Sequence, residues 1–593
     1  MSFAVLAWPA VAFSATNVWI NSGSGSWSAT SNWFGGAPIA GGRVFITNAN
    51  NKMVFIDAST PAANLTIDRL SLSAPSGSTN TLQFTGASTN TILQLGNTLT
   101  MDAGSALNMT NAALSIDGSA GGVFNLLSGD VVLDGGLIDC STTFIRVGRT
   151  STGTLTLKSG NVLASELFVG ELTGSQGTLI MNGGNIFVDA LLSLGDTVNS
   201  SGTAKVNSGS LILSNGFAKI GNLGNGQFTI AGGTVTFMSE VHIADTAGAT
   251  GIVSVVGGQL IATNDITAIG RYGVGQLTVS NASTLLTNVS VGRHPGASGT
   301  VNIQSNGAAR FFDDLSIGRF QGATGAVLVT GGELTCTNQA IWAGREGAGQ
   351  MIVSNGFVQA SQMLIAGTNG ASGKVTFAGG NSLFASNFVI GFSGISTGQV
   401  VVSAGNLSVT NVTGSGILTV PSGTMTVLGG QIVADKLLLT NNSGRLLFNS
   451  GLIQTRSTTA NNGLPFVVGD GTNATTLQLL GGVHTFANGL VISSNATVTG
   501  CGTIIGSISN FGTLATNCPP PSVNITAVTK TGSTATVFFT TIAGSNHVLE
   551  YKNSLTDSLW AAILPGVLGD GSITNKSDTN STFATRFYHI HVQ

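Results

Sequence analysis

The sequence predicts an all-β chain: a right-handed parallel β-helix with about 24 residues per coil, followed by a small β-sandwich-like module. Three observations carry this expectation. Gly supplies 84 of 593 residues and charged residues only 8%, so tight turns are plentiful and helix-favouring Lys, Glu and Arg are scarce. A motif recurs from about 145 to 405. Within it, apolar residues alternate with polar ones over short runs, the period of half-buried strands.

Each repeat reads apolar-x-apolar-Gly, a short polar turn, Gly-x-apolar-x-apolar, then Gly-x-apolar. One copy is Ile145-Arg146-Val147-Gly148, then Gly153 to Leu157, then Gly160-Asn161-Val162. Another is Leu315-Ser316-Ile317-Gly318, then Gly325 to Val329, then Gly332-Glu333-Leu334. The first Gly falls at 148, 170, 195, 221, 270, 292, 318, 344, 367 and 391, with Ala244 in its place once. Ten intervals cover the 243 residues from 148 to 391, a mean of about 24. That length suits three short strands and three turns, and no single coil can bury its apolar face without neighbours. The inward set of the strand before the corner reads Val147, Val169, Leu194, Ile220, Ile243, Ile269, Val291, Ile317, Ala343, Ala366 and Ile390. Asn264, Asn288, Asn338 and Asn387 recur before that strand and suggest an Asn ladder.

The ends differ from the middle. Residues 1–15 read as an export signal, an apolar run closing on small residues. Residues 16–60 hold Trp19, Trp27 and Trp33 and read as a cap with the first coils, because an open solenoid end leaves backbone groups unpaired. The β-helix proper is expected over 61–518 and a Pro-rich linker over 519–522. A small fibronectin-III or immunoglobulin-like module follows over 523–593, with strands in 523–528, 534–542, 547–551 and 585–592. Cys501 and Cys518, close in sequence near the solenoid's end, are candidates for a disulfide. Cys140 and Cys336 lie many coils apart, beyond disulfide reach, and read as small buried apolar residues.

The cap sequence Trp19-Ile20-Asn21, Gly25-Ser26-Trp27, then Asn32-Trp33-Phe34-Gly35-Gly36-Ala37-Pro38 resembles bacterial autotransporter-associated β-strand-repeat proteins. These are a secreted branch of the pectin-lyase-like β-helices, and their passengers often open with a similar W…GxW…NWxGxxP segment. Gly500 to Leu514 is similar to their terminal coils, although Cys501 is unusual there. The resemblance implies a secreted or cell-surface protein. No set of alternating ten-residue strands follows 520, so no translocator barrel is expected. No run of about 18 apolar residues suggests a membrane span.

Charge and motifs narrow the function classes. A net charge of −3 gives no basic face for nucleic acid. Gly394-Ile395-Ser396-Thr397-Gly398 matches GxSxG but sits in a Gly/Ser-rich turn rather than a strand-turn-helix elbow. His589 and His591 share a face of one strand without a third ligand, so no metal or other cofactor is expected. The position after each corner reads Arg149, Glu171, Asp196, Asn222, Asp245, Arg271, Arg293, Arg319, Arg345, Thr368 and Phe392. In register, Arg271, Arg293, Arg319 and Arg345 form a column with about 5 Å between members, suited to uronate carboxylates or sulfates. In polysaccharide lyases of the resembled fold, carboxylates hold Ca2+ and an Arg acts as base, so a lyase or hydrolase site would use Asp313, Asp314 and Arg319. The leading expectation is a non-catalytic surface solenoid for adhesion, matrix or surface structure, contacting extracellular polysaccharide and capable of self-association. The alternatives are that enzyme and a passenger of a secretion system.

Overall fold

The computed structural model describes residues 15–516 and 522–593, apart from 89, 394–395 and 583–584. The export segment, the Pro-rich linker and Cys518 therefore fall wholly or largely outside the described residues, as does the first half of the GxSxG match. Strand makes up 62% and helix 2%. The chain divides into two compact units, one of 1–498 with 503–514 and one of 499–502 with 515–593.

The first unit is a parallel β-solenoid of about 20 turns. Three ladders run through it. The first passes Leu155, Leu179, Ala204 and Phe228, the second Val162, Ile186, Leu211 and Val235, and the third Val169, Leu194, Ile220 and Ile243. Alternation sends these residues inward, and each is at most 1% exposed. They form one continuous apolar core from Trp19 to Val498. In a fully parallel stack each coil supplies the pairing edge of the next, so backbone groups are satisfied between coils.

Register corrects two sequence expectations. Ala343 pairs with Ile365, not Ala366, and Ile365 pairs with Ile390. Ala366 is therefore the corner residue, at φ 57°, matching Ala244 at φ 59°. The residue after that corner is Gly367, so Thr368 leaves the column. The run Ile365-Ala366-Gly367 contains two small residues, and the spacing alone favoured the glycine. The expected Asn ladder is also displaced. Asn264 and Asn338 bond the carbonyls of Met238 and Phe312, whereas Asn–Asn bonds join Asn161 to Asn185, Asn182 to Asn207, Asn281 to Asn306 and Asn381 to Asn406.

The corner itself is under steric control. Gly292 sits at φ 68°, and a Cβ there would meet the Thr324 carbonyl oxygen at 1.8 Å. Ala244 and Ala366 show that two corners accommodate one methyl group. Gly292→Ala is expected to cost more than the left-handed backbone penalty of about 1–2 kcal/mol, because the Thr324 backbone must also shift to clear the methyl group. Gly292→Val adds a branched carbon against that carbonyl and should cost roughly 3–5 kcal/mol. Denaturant unfolding of both variants checks this ordering; equal losses would contradict it.

Trp19, Trp27 and Trp33 are buried at the start of the solenoid. Trp33 lies edge-to-face with Trp19 at 4.9 Å and with Trp27 at 5.3 Å. Trp19 pairs antiparallel with Trp33, a reversal of the direction used by the coils. In the second unit, one three-stranded antiparallel sheet contains Ile525–Thr531, Thr534–Thr540 and Ile573–Asp578. Another contains Ala561–Leu568, Asn546–Lys552 and Phe587–Val592. Val537 and Phe539 of one meet Leu549 and Ile590 of the other in a shared small core.

Candidate anion-binding face

The third ladder fixes the arginines. Ile269, Val291, Ile317 and Ala343 are in register, so the corners that follow place Arg271, Arg293, Arg319 and Arg345 in successive coils. Each arginine can reach back over the preceding coil to two outward positions. What occupies those positions decides how each charge is met.

Arg345 reaches Asp314 Oδ2 at 3.0 Å and Ser316 Oγ at 3.1 Å. Arg319 meets the equivalent pair one coil earlier, Asn288 Oδ1 at 3.3 Å and Ser290 Oγ at 3.4 Å, both neutral. For Arg293 the equivalent positions hold Ile266 and Ala268, which offer no side-chain acceptor. Arg271 bonds Asp245 Oδ1 at 2.7 Å. The outer arginines each form a direct ion pair with a carboxylate and the inner two do not. The Nε atoms of Arg293 and Arg319 are buried without a hydrogen-bond partner. Burial first, then the charge of Arg271, lowers the pKa of Arg293 against the opposing pull of Glu240, Tyr272 and Asp265; burial, then Arg293 and Arg345, lowers that of Arg319 against Asp314 and Glu346. Two like charges about one coil spacing apart, partly out of water and with carboxylates near but none in direct ion pairing, form a local site of positive charge.

The rest of this face is compensated. Glu171 takes Arg149 at 3.1 Å and Arg146 at 3.3 Å. Asp245 takes Lys219 at 3.0 Å as well as Arg271, and His242 lies 3.1 Å from it and 2.6 Å from Glu240. Burial alone would raise the Asp245 pKa, yet hydrogen bonds from His242, Arg271 and Lys219 hold it well below the usual carboxylate range. Asp265 lies near Arg293 but caps its own chain, accepting from the Ile266 N–H at 2.7 Å.

Sequence reasoning missed an aromatic row beside the arginines. Tyr272, His294 and Phe320 each follow an arginine of the column. Tyr272 and His294 stack at 4.1 Å with planes 6° apart, and Phe320 lies 5.3 Å from His294. The guanidinium of Arg271 lies 5.3 Å from the Tyr272 ring and that of Arg319 lies 5.4 Å from Phe320. Trp342 continues the aromatic surface, 5.0 Å from the Arg345 guanidinium. The signal was present as Arg-Tyr, Arg-His and Arg-Phe pairs at one-coil spacing.

The other candidate residues do not converge. Asp314 is engaged by Arg345 and by the Ala340 N–H at 3.2 Å, while Arg319 turns to Asn288 and Ser290. Asp313 accepts the Cys336 thiol on its backbone oxygen. Among the described residues, no group of three or more His, Cys, Asp and Glu is placed to hold a metal ion, and no helix is long and apolar enough to cross a membrane. Cys140 and Cys336 are free and fully buried. Cys501 is disulfide-bonded, while Cys518 lies outside the described residues. No protein-family model matches the chain, and neither a curated protein nor a solved structure matches it.

Proposed function

We propose that this chain is a non-catalytic extracellular or cell-surface β-solenoid that holds acidic polysaccharide against its arginine face. The observation that carries the reading is the pair Arg293 and Arg319, the two arginines of the column without a direct ion pair to a carboxylate. A uronate carboxylate or a sulfate between them supplies the missing counter-charge, and guanidinium forks suit both groups. The aromatic row of Tyr272, His294 and Phe320, stacked ring on ring along the same coils, presents ring edges and the polar atoms of Tyr272 and His294 to a sugar chain beside it. On this reading the protein is of the autotransporter-associated repeat kind, and adhesion or matrix building follows from retention of the glycan.

The test is incubation of the purified protein with polygalacturonate, chondroitin sulfate and a neutral glucan, with and without Ca2+. Chain length and co-elution are followed by size-exclusion chromatography. The acidic chains should co-elute with the protein at unchanged length, and the neutral glucan should not. Shortening that Asp313→Asn or Asp314→Asn abolishes would overturn the reading in favour of a polysaccharide lyase or hydrolase of the pectin-lyase-like fold.

A pH dependence follows from His294. Burial first, then the charges of Arg293, Arg271 and Arg319, lower its pKa below the usual 6.5. An anion bound between Arg293 and Arg319 offsets those charges and raises the His294 pKa in the complex. The complex then binds the proton more tightly than the free protein does. Affinity therefore rises as the pH falls through the complex's pKa and levels off below the free protein's depressed one. Calorimetry near pH 6 in two buffers of different ionisation enthalpy should show proton uptake that His294→Gln removes. Unchanged apparent enthalpy between buffers would contradict this.

A further inference from the structure

We propose that the solenoid carries a second, separate ligand site: an apolar pocket beside Arg445 that takes an amphipathic monoanion, an acyl chain or aromatic ring bearing one acidic group.

The pocket arises from a missing rung. Gly444 to Phe448 pair at every residue with Gly423 to Val427 on one side. On the other side only Phe448 pairs, with Val468. The following coil is regular again, Phe466 to Val468 pairing fully with Leu490 to Ile492. The interruption has a local cause. Between the two strands the chain reads Asn461-Asn462-Gly463-Leu464-Pro465; Gly463 takes φ 81° and Pro465 has no N–H to donate. The buried Asn462 side chain bonds the Gly444 carbonyl at 2.9 Å and so satisfies one acceptor of the open edge.

The opened edge gives access to the core. Leu446 is an inward-facing residue by register with the fully buried Met425, yet it is only half-buried. In the third ladder Ala460 stands between Leu439 and Phe486, so a small side chain occupies a place that its neighbours fill with large ones. The result is a cavity of about 410 Å³, within the range of small-molecule sites. Its mouth exposes Leu447, Leu464 and Val467, at 46%, 37% and 44%. These neighbouring apolar side chains lie open to solvent beside a mostly apolar interior.

Charge selects the ligand. Arg445 lines the mouth, and no described residue gives it a hydrogen bond or ion pair. The only acid at the mouth, Asp470, is spent on its own turn. It accepts from the N–H groups of Thr472 and Asn473 at 2.9 Å each and from both side chains at 2.8 Å. An apolar cavity with one unopposed cation at its entrance complements a ligand with an apolar body and one negative head.

The experiment titrates the full chain with 8-anilinonaphthalene-1-sulfonate, followed by its fluorescence, and then displaces it with dodecanoate or dodecanol. One saturable site displaced by dodecanoate is expected. Arg445→Gln should weaken dodecanoate roughly tenfold and leave dodecanol unchanged. Ala460→Leu fills the cavity and should abolish the saturable signal while circular dichroism stays that of the parent. Leu464→Asp, at the partly exposed rim, should weaken both ligands while circular dichroism stays that of the parent. No saturable binding by the parent chain would overturn the proposal, as would binding unaltered by both Ala460→Leu and Leu464→Asp. So would concentration-dependent dimerisation that Ala460→Leu removes without any binding of the probe, since a second copy would then be the occupant.

Discussion

Replacing Ile317 by aspartate is expected to cost about 5 kcal/mol and to unfold the coils around it, while Ile317→Val should cost no more than about 1.5 kcal/mol. Ile317 is 0% exposed and lies in the unbroken aliphatic row between Val291 and Ala343. A carboxylate there meets no donor, because every inward neighbour is apolar, so it must either stay charged without a partner or bind a proton at a cost. The damage spreads along the stack through nearest neighbours rather than across the whole chain at once. Hydrogen exchange should therefore show lost protection centred on Val289 to Ile365, fading over a few coils. Protection lost evenly from Trp19 to Val498 would contradict a nearest-neighbour solenoid.

Trp27→Ala should cost about 3–5 kcal/mol, with its effect confined to the first coils. The Trp27 ring is wholly buried, its indole N–H donates to the Asn64 carbonyl at 2.8 Å, and its backbone oxygen accepts from the Trp33 indole at 2.7 Å. Truncation leaves a large hole, strands the Asn64 carbonyl and frees Trp33 from its edge-to-face partner. Trp27→Phe keeps most of the ring and loses the hydrogen bond, so it should cost about 1–2 kcal/mol. The loosened start also exposes the outer edge of the first coil, a template for pairing with another chain. Limited proteolysis should cut the alanine variant within 16–56, and light scattering should show it associating. A variant as resistant and as monomeric as the parent would remove the cap from the account.

The solenoid was legible because two periods coincide in the sequence, alternation of two within a strand and about 24 between coils. Val147 to Val291 can be aligned by eye, and those residues pair coil to coil in that order. The offset at Ala366 was not legible, since a small non-glycine residue at a left-handed corner looks like an inward alanine. In the second unit the strands Ala561–Leu568 and Ile573–Asp578 were missed. The first contains Pro565 and Gly566, and the second is almost wholly polar, so neither shows alternation. The arginine column was legible from spacing. Its division into met and unmet charges was not, because that depends on which residues lie one coil back: Asp314 and Ser316 under Arg345, but Ile266 and Ala268 under Arg293. The pocket beside Arg445 was also hidden, being the product of a rung that fails to form.

The central claim is that the unmet charges of Arg293 and Arg319, rather than the column as a whole, hold an acidic glycan. Its most direct test is the salt concentration that elutes the protein from immobilised polygalacturonate, measured for the single replacements of Arg271, Arg293, Arg319 and Arg345 by Gln. Elution at clearly lower salt is predicted for Arg293→Gln and Arg319→Gln. The Arg271→Gln and Arg345→Gln proteins lose guanidinium groups already engaged by Asp245 and Asp314, so they should shift less than either. An equal shift for all four, or no shift for Arg293→Gln and Arg319→Gln, would contradict the account.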